Sequence, residues 1–396
     1  MAQWIHFERA ERTHPTWLST INERSLRRIS AWLLLYCLLQ AELGVAWDIQ
    51  WHYLVGRDRF WTPPHITIYI AVAMAGCIAL AVVLCETLRH HYGLFERRKD
   101  DTIRILHYFY APSGFVIMGV GPLIAAIAAP FDNYWHLLYG IDITLWSPFH
   151  LMGAIGGLIG IIGLAFIFAS EAAVAHQQKE QSRQWLGYTA LEWGGLMVLA
   201  SLISLILSAL TQFTAITAGQ LHILTFPLPL AFIGAFCLMA AAHFTRKPGS
   251  ATMTTLLLMA YKSLSEIFVP SAMRTLVTHM GLVYRAGRLP TLNTTTILLT
   301  GLFVIEALII DGFMYWQQRH GAIKYDTLIL AVIIAVLSVT IPPCVATVVN
   351  HFKPLTPDFV SVLQPSWPDL LLVAPLTLVV SLIAVKWGKR LGAFWH

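Results

Sequence analysis

Apolar stretches of about twenty residues, long enough for a helix to cross a bilayer, recur along this chain. A backbone inside a bilayer must satisfy its own hydrogen bonds, so such stretches form helices. Apolar residues make up 57% of the 396 residues, charged residues only 12%, and the mean hydropathy is +0.65. We therefore predict an all-α, polytopic transmembrane helical bundle of about nine to ten spans, in contact with the lipid bilayer.

Charge and cysteine content exclude several classes of protein. The formal net charge is +5, but no basic run is long or interleaved with aromatic residues, so we expect no nucleic-acid partner. Cysteines lie in or beside apolar runs without CxxC spacing, which argues against a zinc knuckle or a disulfide framework. They are Cys37, Cys77, Cys85, Cys237 and Cys344.

A polar motif interrupts the apolar pattern at 48–65. Asp48 and His52 are four residues apart, so they share one face of a helix. His65 follows a short polar loop, at the mouth of the next apolar run. The spacing predicts that three candidate metal ligands converge on one point.

The same motif returns at 132–150, with one residue inserted before its second tryptophan. A repeat that keeps Asp, His and His in fixed places indicates an internal duplication of a metal-binding helical hairpin. The matched pairs are Asp48/Asp132, Trp51/Trp135, His52/His136, Gly56/Gly140, Asp58/Asp142, Trp61/Trp146, Pro63/Pro148 and His65/His150.

The apolar pattern divides the chain into three parts. Residues 1–28 form a cytoplasmic or interfacial N-terminus, 29–175 a duplicated metal-hairpin membrane domain, and 186–396 a set of additional transmembrane helices. The two repeats cover about 29–88 and 112–173, and the segment near 252–292 is amphipathic or re-entrant. Spans are predicted near 29–52, 65–88, 112–130, 150–173, 186–210, 222–243, 294–316, 326–348 and 369–387.

The distribution of basic residues predicts the orientation of both hairpins. The loop at 89–104 contains five arginines and lysines, whereas the loop at 132–149 contains none. By the positive-inside rule the basic loop is cytoplasmic and both metal hairpins face the other side. The two halves of the duplication are then a parallel repeat.

One carboxylate and two imidazoles form a ligand set that suits divalent first-row metals and leaves coordination positions open for dioxygen. Copper and non-haem iron fit this ligand set, and zinc is also compatible with it. The alternative is that the three side chains form a hydrogen-bonded polar cap that holds no metal. Asp58 and Asp142 are predicted to support the metal site: each would accept the ring N–H of a ligating histidine and so fix the orientation of that ring.

The tryptophans near the two motifs are either interfacial anchors or walls of a dry pocket. They are Trp47, Trp51, Trp61, Trp135 and Trp146.

Two other functions are compatible with the histidines. A transmembrane haem-binding electron-transfer subunit would use them as axial ligands, and a metal or proton transporter would use the repeat as a transport symmetry. A carboxylate one turn before the first histidine of each copy argues against haem. Both triads are expected on one side of the membrane, which argues against a transport pathway.

Both motifs resemble the C subunit of copper membrane monooxygenases, the family of particulate methane and ammonia monooxygenases. The resemblance lies in the spacing of the ligands, in ArgAsp at 57–58 and in PheTrpThrProProHis at 60–65. The resemblance covers about residues 30–175. It implies one copper site at Asp48, His52 and His65, which would be the catalytic residues. It implies a second metal site at Asp132, His136 and His150, where Asp132 stands in place of the family's usual Asn.

The resemblance also implies a reaction and its partners. The expected enzyme is a monooxygenase that uses copper and dioxygen to hydroxylate a small apolar substrate. It would lie in the bacterial inner membrane, with its N-terminus cytoplasmic and its metal hairpins periplasmic. A quinol or another reductant would supply electrons, and companion membrane subunits or a homotrimer would complete the assembly. The helices after residue 185 go beyond the family subunit and are candidates to replace a companion.

Overall fold

A computed structural model describes residues 22–56, 59–94, 102–140, 146–210, 215–218, 221–291, 294–321, 324–352 and 367–395. This part of the chain is almost entirely helical and contains three short antiparallel β-hairpins. The predicted all-α class is confirmed.

The helices follow one another with short connections. They are α1 Glu23–Leu54, α2 Pro63–His91, α3 Ser113–Tyr139, α4 Pro148–Gln177, α5 Ala190–Leu210, α6 Pro227–Thr245, α7 Ser250–His279, α8 Thr294–His320, α9 Asp326–Phe352 and α10 Trp367–Phe394. The hairpins are β1 Thr102–Ile105 with β2 Phe109–Pro112, β3 Gln184–Trp185 with β4 Tyr188–Thr189, and β5 Ala215–Ala218 with β6 Leu221–Leu224. A 3₁₀ turn, Arg285–Gly287, follows α7.

Eight helices of the described chain are long and apolar enough to cross a membrane: α1 to α6, α9 and α10. The polytopic prediction is therefore confirmed. The predicted count of nine to ten also includes α8 and the ambiguous segment at 252–292. Residues 252–279 of that segment belong to α7, a continuous helix that carries Lys262 and Glu266 and is not one of the eight, and a 3₁₀ turn follows it.

The duplicated hairpins are the α1–α2 pair and the α3–α4 pair, and α2 packs against α3. Helices α3 and α4 approach closely where small residues meet: a Cβ atom added at Gly121 would lie 2.5 Å from the carbonyl oxygen of Gly156. Small residues allow such close packing of membrane helices. Because α1 also contacts α4, α5 and α7, the later helices pack directly against the duplicated unit.

Two ion pairs, one fully buried and one partly exposed at its arginine, join the start of α1 to the ends of α2 and α4. Arg27 Nε donates to Glu86 Oε1 at 3.0 Å, and Arg28 Nε donates to Glu171 Oε2 at 3.2 Å. Both glutamates are buried, and each stands 21 residues after the last histidine of its copy, from 65 to 86 and from 150 to 171. The duplication therefore extends to the end of the hairpins opposite the metal motif.

Helix α3 is longer than predicted. The sequence prediction ended this helix near 130, but it passes through Pro122 and Pro130 and ends at Tyr139. A membrane helix tolerates proline where neighbouring helices satisfy the freed backbone groups. As a result Asp132 and His136 lie on a helix, as Asp48 and His52 do on α1.

Other helix starts also differ from the prediction. Helix α1 begins at Glu23 rather than near 29, because the Asn22 side chain accepts the N–H groups of Arg24 and Ser25 and caps it. Helices α5 and α6 begin four to five residues later than predicted, at 190 and 227 instead of 186 and 222, because the β3–β4 and β5–β6 hairpins occupy those residues. Residues 1–21 of the predicted N-terminal segment lie outside the described chain.

Candidate metal centre

The first triad joins the end of α1 to the start of α2. Asp48 and His52 lie one turn apart on α1, and His65 is the third residue of α2, directly after the two prolines that start that helix. Asp48 Oδ1 is 3.2 Å from His65 Nε2, and Asp48 Oδ2 is 3.5 Å from His52 Nδ1. Both histidines are buried. The three side chains therefore converge on one point, as predicted.

The second triad repeats this arrangement between α3 and α4. Asp132 Oδ2 is 3.4 Å from His136 Nε2, and Asp132 Oδ1 is 3.3 Å from His150 Nε2. Its three side chains are half-buried, so this triad is more accessible than the first. The hydroxyl oxygen of Ser147, the residue before α4, accepts the backbone N–H of His150 and fixes the start of this helix.

In each triad one histidine is oriented by a backbone carbonyl group. His65 Nδ1 lies 3.2 Å from the Arg59 carbonyl oxygen, and His136 Nδ1 lies 3.2 Å from the Gly140 carbonyl oxygen. A carbonyl oxygen can only accept, so both Nδ1 atoms carry the proton. The Nε2 atom of a neutral ring then presents a lone pair towards the aspartate. Two facing lone pairs repel, so each contact requires a proton on Nε2 or a cation between ring and carboxylate.

The distances fit a metal ion. Ligand atoms held about 2.0–2.2 Å from a metal at tetrahedral angles lie roughly 3.3–3.6 Å apart. The aspartate–histidine distances in the two triads are 3.2, 3.5, 3.4 and 3.3 Å, and each histidine of a triad faces a different oxygen of the aspartate. One ligand atom from each residue of a triad lies within 4.8 Å of the others, so small side-chain shifts would bring three ligands onto one ion. Histidine ligands whose second nitrogen bonds a carbonyl group are also typical of metal sites.

The two triads are adjacent. The ring centroids of His52 on α1 and His136 on α3 are 6.1 Å apart, which is close to the 6.0 Å between His52 and His65 within the first triad. His150 extends the series, with its ring 5.4 Å from that of His136. The four imidazoles therefore form one continuous group, so the triads form a single candidate site for two metal ions.

Helix α7 covers the first triad from one side. Trp47 and Trp51 of α1 are 6% and 1% exposed and pack against Val269, Met273 and Val277 of α7. The anchor interpretation therefore does not apply to these two tryptophans. This packing excludes water from the α7 side of the first triad.

The other tryptophans are more exposed. Trp61 and its equivalent in the repeat, Trp146, are 70% and 43% exposed, as an interfacial anchor would be, and Trp61 also lines the cavity beside the triads. Trp135 is half-buried and contacts Tyr139 and Phe149.

A large cavity lies beside both triads. Its volume is about 1080 Å³, and its wall is mostly apolar, formed by α1 to α5, by Phe60 and Trp61 of the loop between α1 and α2, and by one residue of α7. Asp48, His52 and His65 line it from the first triad, and Asp132 and His150 line it from the second. An apolar molecule in this cavity would reach both candidate metal positions.

Predicted and observed site residues agree in part. All six predicted metal ligands come together in the two triads. Asp58 and Asp142, the predicted acceptors of a ring N–H, lie outside the described residues, so that role stays a prediction. The Arg59 and Gly140 carbonyl groups were not predicted, because a backbone acceptor leaves no mark in the sequence. Lys262 was also missed as part of the cavity wall.

Gly56 follows α1 with a left-handed backbone, and the Arg285 guanidinium group packs directly against it. We expect Gly56→Ala to lower the free energy of unfolding by about 1–2 kcal/mol from the backbone alone, and further because Arg285 must move. Gly93→Ala is the matched control: Gly93 follows α2 with a φ of +71°, close to the +69° of Gly56, and has open space around an added Cβ. Unfolding by denaturing detergent measures both variants. Equal losses would contradict the role of Arg285.

Comparison with protein-family models, curated proteins and solved structures gave no match.

Proposed function

We propose that the protein is a copper-dependent integral-membrane monooxygenase, or its metal-bearing subunit, which uses dioxygen to hydroxylate a small apolar substrate. The observation that carries the proposal is the orientation of His65 and His136. Each has its Nδ1–H bonded to a carbonyl group, so its Nε2 atom faces an aspartate and needs either a second proton or a cation there, and we propose the cation. The resemblance of 48–65 and 132–150 to the C subunit of copper membrane monooxygenases favours copper over iron or zinc.

The residues of this chain have distinct roles in the proposed reaction. Asp48, His52 and His65 hold the catalytic ion, and Asp132, His136 and His150 hold a second one. Bound copper would supply the activation of dioxygen for hydroxylation. The α7 packing around Trp51 keeps water away from the first triad, and the apolar cavity places the substrate beside it.

We further propose that both triads face the periplasm of a bacterial inner membrane and that the N-terminus is cytoplasmic. The basic residues at 89–104 support this orientation through the positive-inside rule. A quinol or another reductant would supply the electrons. Companion membrane subunits or a homotrimer would complete the enzyme.

The direct test uses copper-loaded protein in lipid nanodiscs, a chemical reductant, ¹⁸O₂ and a panel of short alkanes and alkenes. The proposal expects an alcohol or epoxide that carries one ¹⁸O atom, absent from His52→Ala protein. A haem absorption band, or substrate-independent oxygen uptake with no labelled product, would contradict it.

The cavity wall offers a second test of the proposed function. A Cβ atom added at Gly153 on α4 meets no atom within 4 Å, so the side chain of Gly153→Leu would project into the cavity. We expect turnover of the longest alkanes that the wild type accepts to fall by roughly tenfold or more, whereas the shortest alkanes still fit, since pockets discriminate this strongly over a few methylene groups. Metal content and stability should be retained, because replacing a helical glycine costs nothing in propensity.

Gly312→Leu on α8 is the matched control. An added Cβ there also meets nothing within 4 Å, and Gly312 is not part of the cavity wall. Product formation is compared at equal metal content. The same dependence of turnover on alkane length in the Gly153 variant and in wild type would show that the substrate does not use the cavity.

A further inference from the structure

The cavity has a polar region away from the metal triads. Glu42 of α1, Ser204 and Ser208 of α5 and Lys262 of α7 all line it. Glu42 stands six residues before Asp48, which is about 9 Å along the helix axis. These groups therefore lie deeper along α1 than the first triad, and they do not belong to either candidate metal site.

These groups are buried and interact with one another. Both carboxylate oxygens of Glu42 are inaccessible to solvent, and the Ser201 and Ser204 hydroxyl groups lie next to them. Lys262 is 9% exposed and interacts electrostatically with Glu42 and with Glu266, its neighbour one turn later. Ionisable groups at membrane depth are costly to bury, and they usually mark a functional site.

The shape of the cavity defines the ligand that would use these groups. Small-molecule sites usually measure about 300–1,000 Å³ and combine an apolar wall with a few convergent polar groups. This cavity has about 1080 Å³, far more than a substrate of a few carbon atoms needs. Its exposed wall residues include Leu80 of α2 and Leu123 of α3, which are 56% and 60% exposed. On the outer surface of a membrane helix such residues face lipid, so a ligand can enter from the bilayer.

The charges indicate the head group of the ligand. Lys262 is the only lysine or arginine among the described residues that line the cavity, and two glutamates, Glu42 and Glu266, lie near enough for their charges to act on it. An anionic head group would be repelled, because the carboxylates near the cavity outnumber its single cation. A hydroxyl group can donate to Glu42 and accept from Lys262 without adding a charge.

We propose that the cavity binds a lipid-soluble molecule with a neutral, hydroxyl-bearing head group. The Glu42 and Ser204 side chains, which are covered in the empty cavity, turn towards the head group and hold it together with Lys262, and the apolar body extends through the cavity towards the metal triads. This binding site does not depend on a metal ion and therefore stands apart from the oxygenase proposal.

The test is photolabelling in lipid nanodiscs with a dodecanol that carries a diazirine next to its hydroxyl group. Wild type and the His52→Ala/His136→Ala protein are both labelled, and adducts are mapped by mass spectrometry. We expect adducts on α1, α5 and α7 around Glu42 and Lys262 in both proteins. Unlabelled 1-dodecanol should compete, whereas dodecane and dodecanoate at the same membrane mole fraction should not.

Variants test the head group directly. Lys262→Met and the charge-balanced Glu42→Gln/Lys262→Met protein should lose competed labelling by about tenfold or more, as expected when hydrogen bonds to charged groups are removed. Ser204→Ala, which changes no charge, should weaken it too. Glu306→Gln is the matched control, because Glu306 of α8 is a buried carboxyl group outside this cavity; its labelling should be unchanged.

Equal competition by dodecane or dodecanoate, or unchanged labelling in folded Lys262→Met protein, would overturn this proposal. Specific labelling of a protein that retains no metal would count only against the oxygenase. Normal metal binding without alcohol-specific labelling would count only against the head-group site.

Discussion

Protein in which His136 is replaced by alanine should hold about one metal ion per chain where the wild type holds about two. Each triad offers three ligand atoms within 4.8 Å of one another, so each is expected to hold one ion. Removal of a histidine leaves two ligands, and weaker changes around metal sites already cost about 10–100-fold in affinity. His52→Ala should remove the other ion. Elemental mass spectrometry on protein purified in lipid nanodiscs measures both variants.

His320→Ala is the control for these variants. His320 is exposed at the end of α8, and its Nδ1 contacts the Trp316 carbonyl oxygen, so its removal should leave the metal content unchanged. Wild-type protein that retains no metal after gentle purification and reloading would contradict the prediction. In that case each triad would be a metal-free polar cap, in which a doubly protonated histidine forms an ion pair with the aspartate.

The second large effect is expected at the opposite end of the hairpins. Arg27 is 1% exposed and lies between Glu23, at 2.7 Å, and Glu86, at 3.0 Å. Arg27→Ala leaves both carboxylates buried without their main cation, and removing one partner of a buried ion pair costs about 3–5 kcal/mol. We therefore expect the free energy of unfolding to fall by about this amount, measured by titration with denaturing detergent.

Arg24→Ala is the matched control because Arg24 pairs with Glu180 at 2.6 Å, where both side chains are partly exposed. Such pairs contribute about 0–1 kcal/mol. Adding Glu86→Gln to Arg27→Ala should restore part of the stability, since it removes a buried charge. A loss for Arg27→Ala no greater than that for Arg24→Ala would show that the buried pair does not hold α1 to α2.

The sequence predicted the parts of the fold and the site that depend on local spacing. The aspartate and the first histidine of each triad, Asp48 with His52 and Asp132 with His136, are four residues apart, so one helical turn brings them together. His65 and His150 stand at helix starts marked by proline. These local rules were sufficient to identify both triads.

Features that depend on packing between distant segments were not predicted. The approach of His52 to His136 requires α1 and α3 to meet, and the burial of Trp51 requires α7, which lies more than two hundred residues later. Neither contact follows from spacing. The end of α3 was placed too early because Pro130 usually stops a helix in water, whereas neighbouring membrane helices tolerate it.

One further feature was detectable in the sequence. Glu86 and Glu171 are matched by the same offset of 85 residues as His65 and His150. An alignment of the repeats beyond the metal motif would have identified them. The arginine partners that the structure shows for them, Arg27 and Arg28, lie on α1, which has no counterpart of this kind in the repeat pattern, so the pairing itself required the structure.

Electron paramagnetic resonance of protein loaded with Cu²⁺ tests the central claim, that two adjacent triads form one site for two metal ions. The separation of 6.1 Å between the His52 and His136 rings places the two candidate positions side by side. At full loading the wild type should give the spectrum of two coupled ions, and His136→Ala should give that of a single isolated ion. Only isolated ions in fully loaded wild type would contradict the claim.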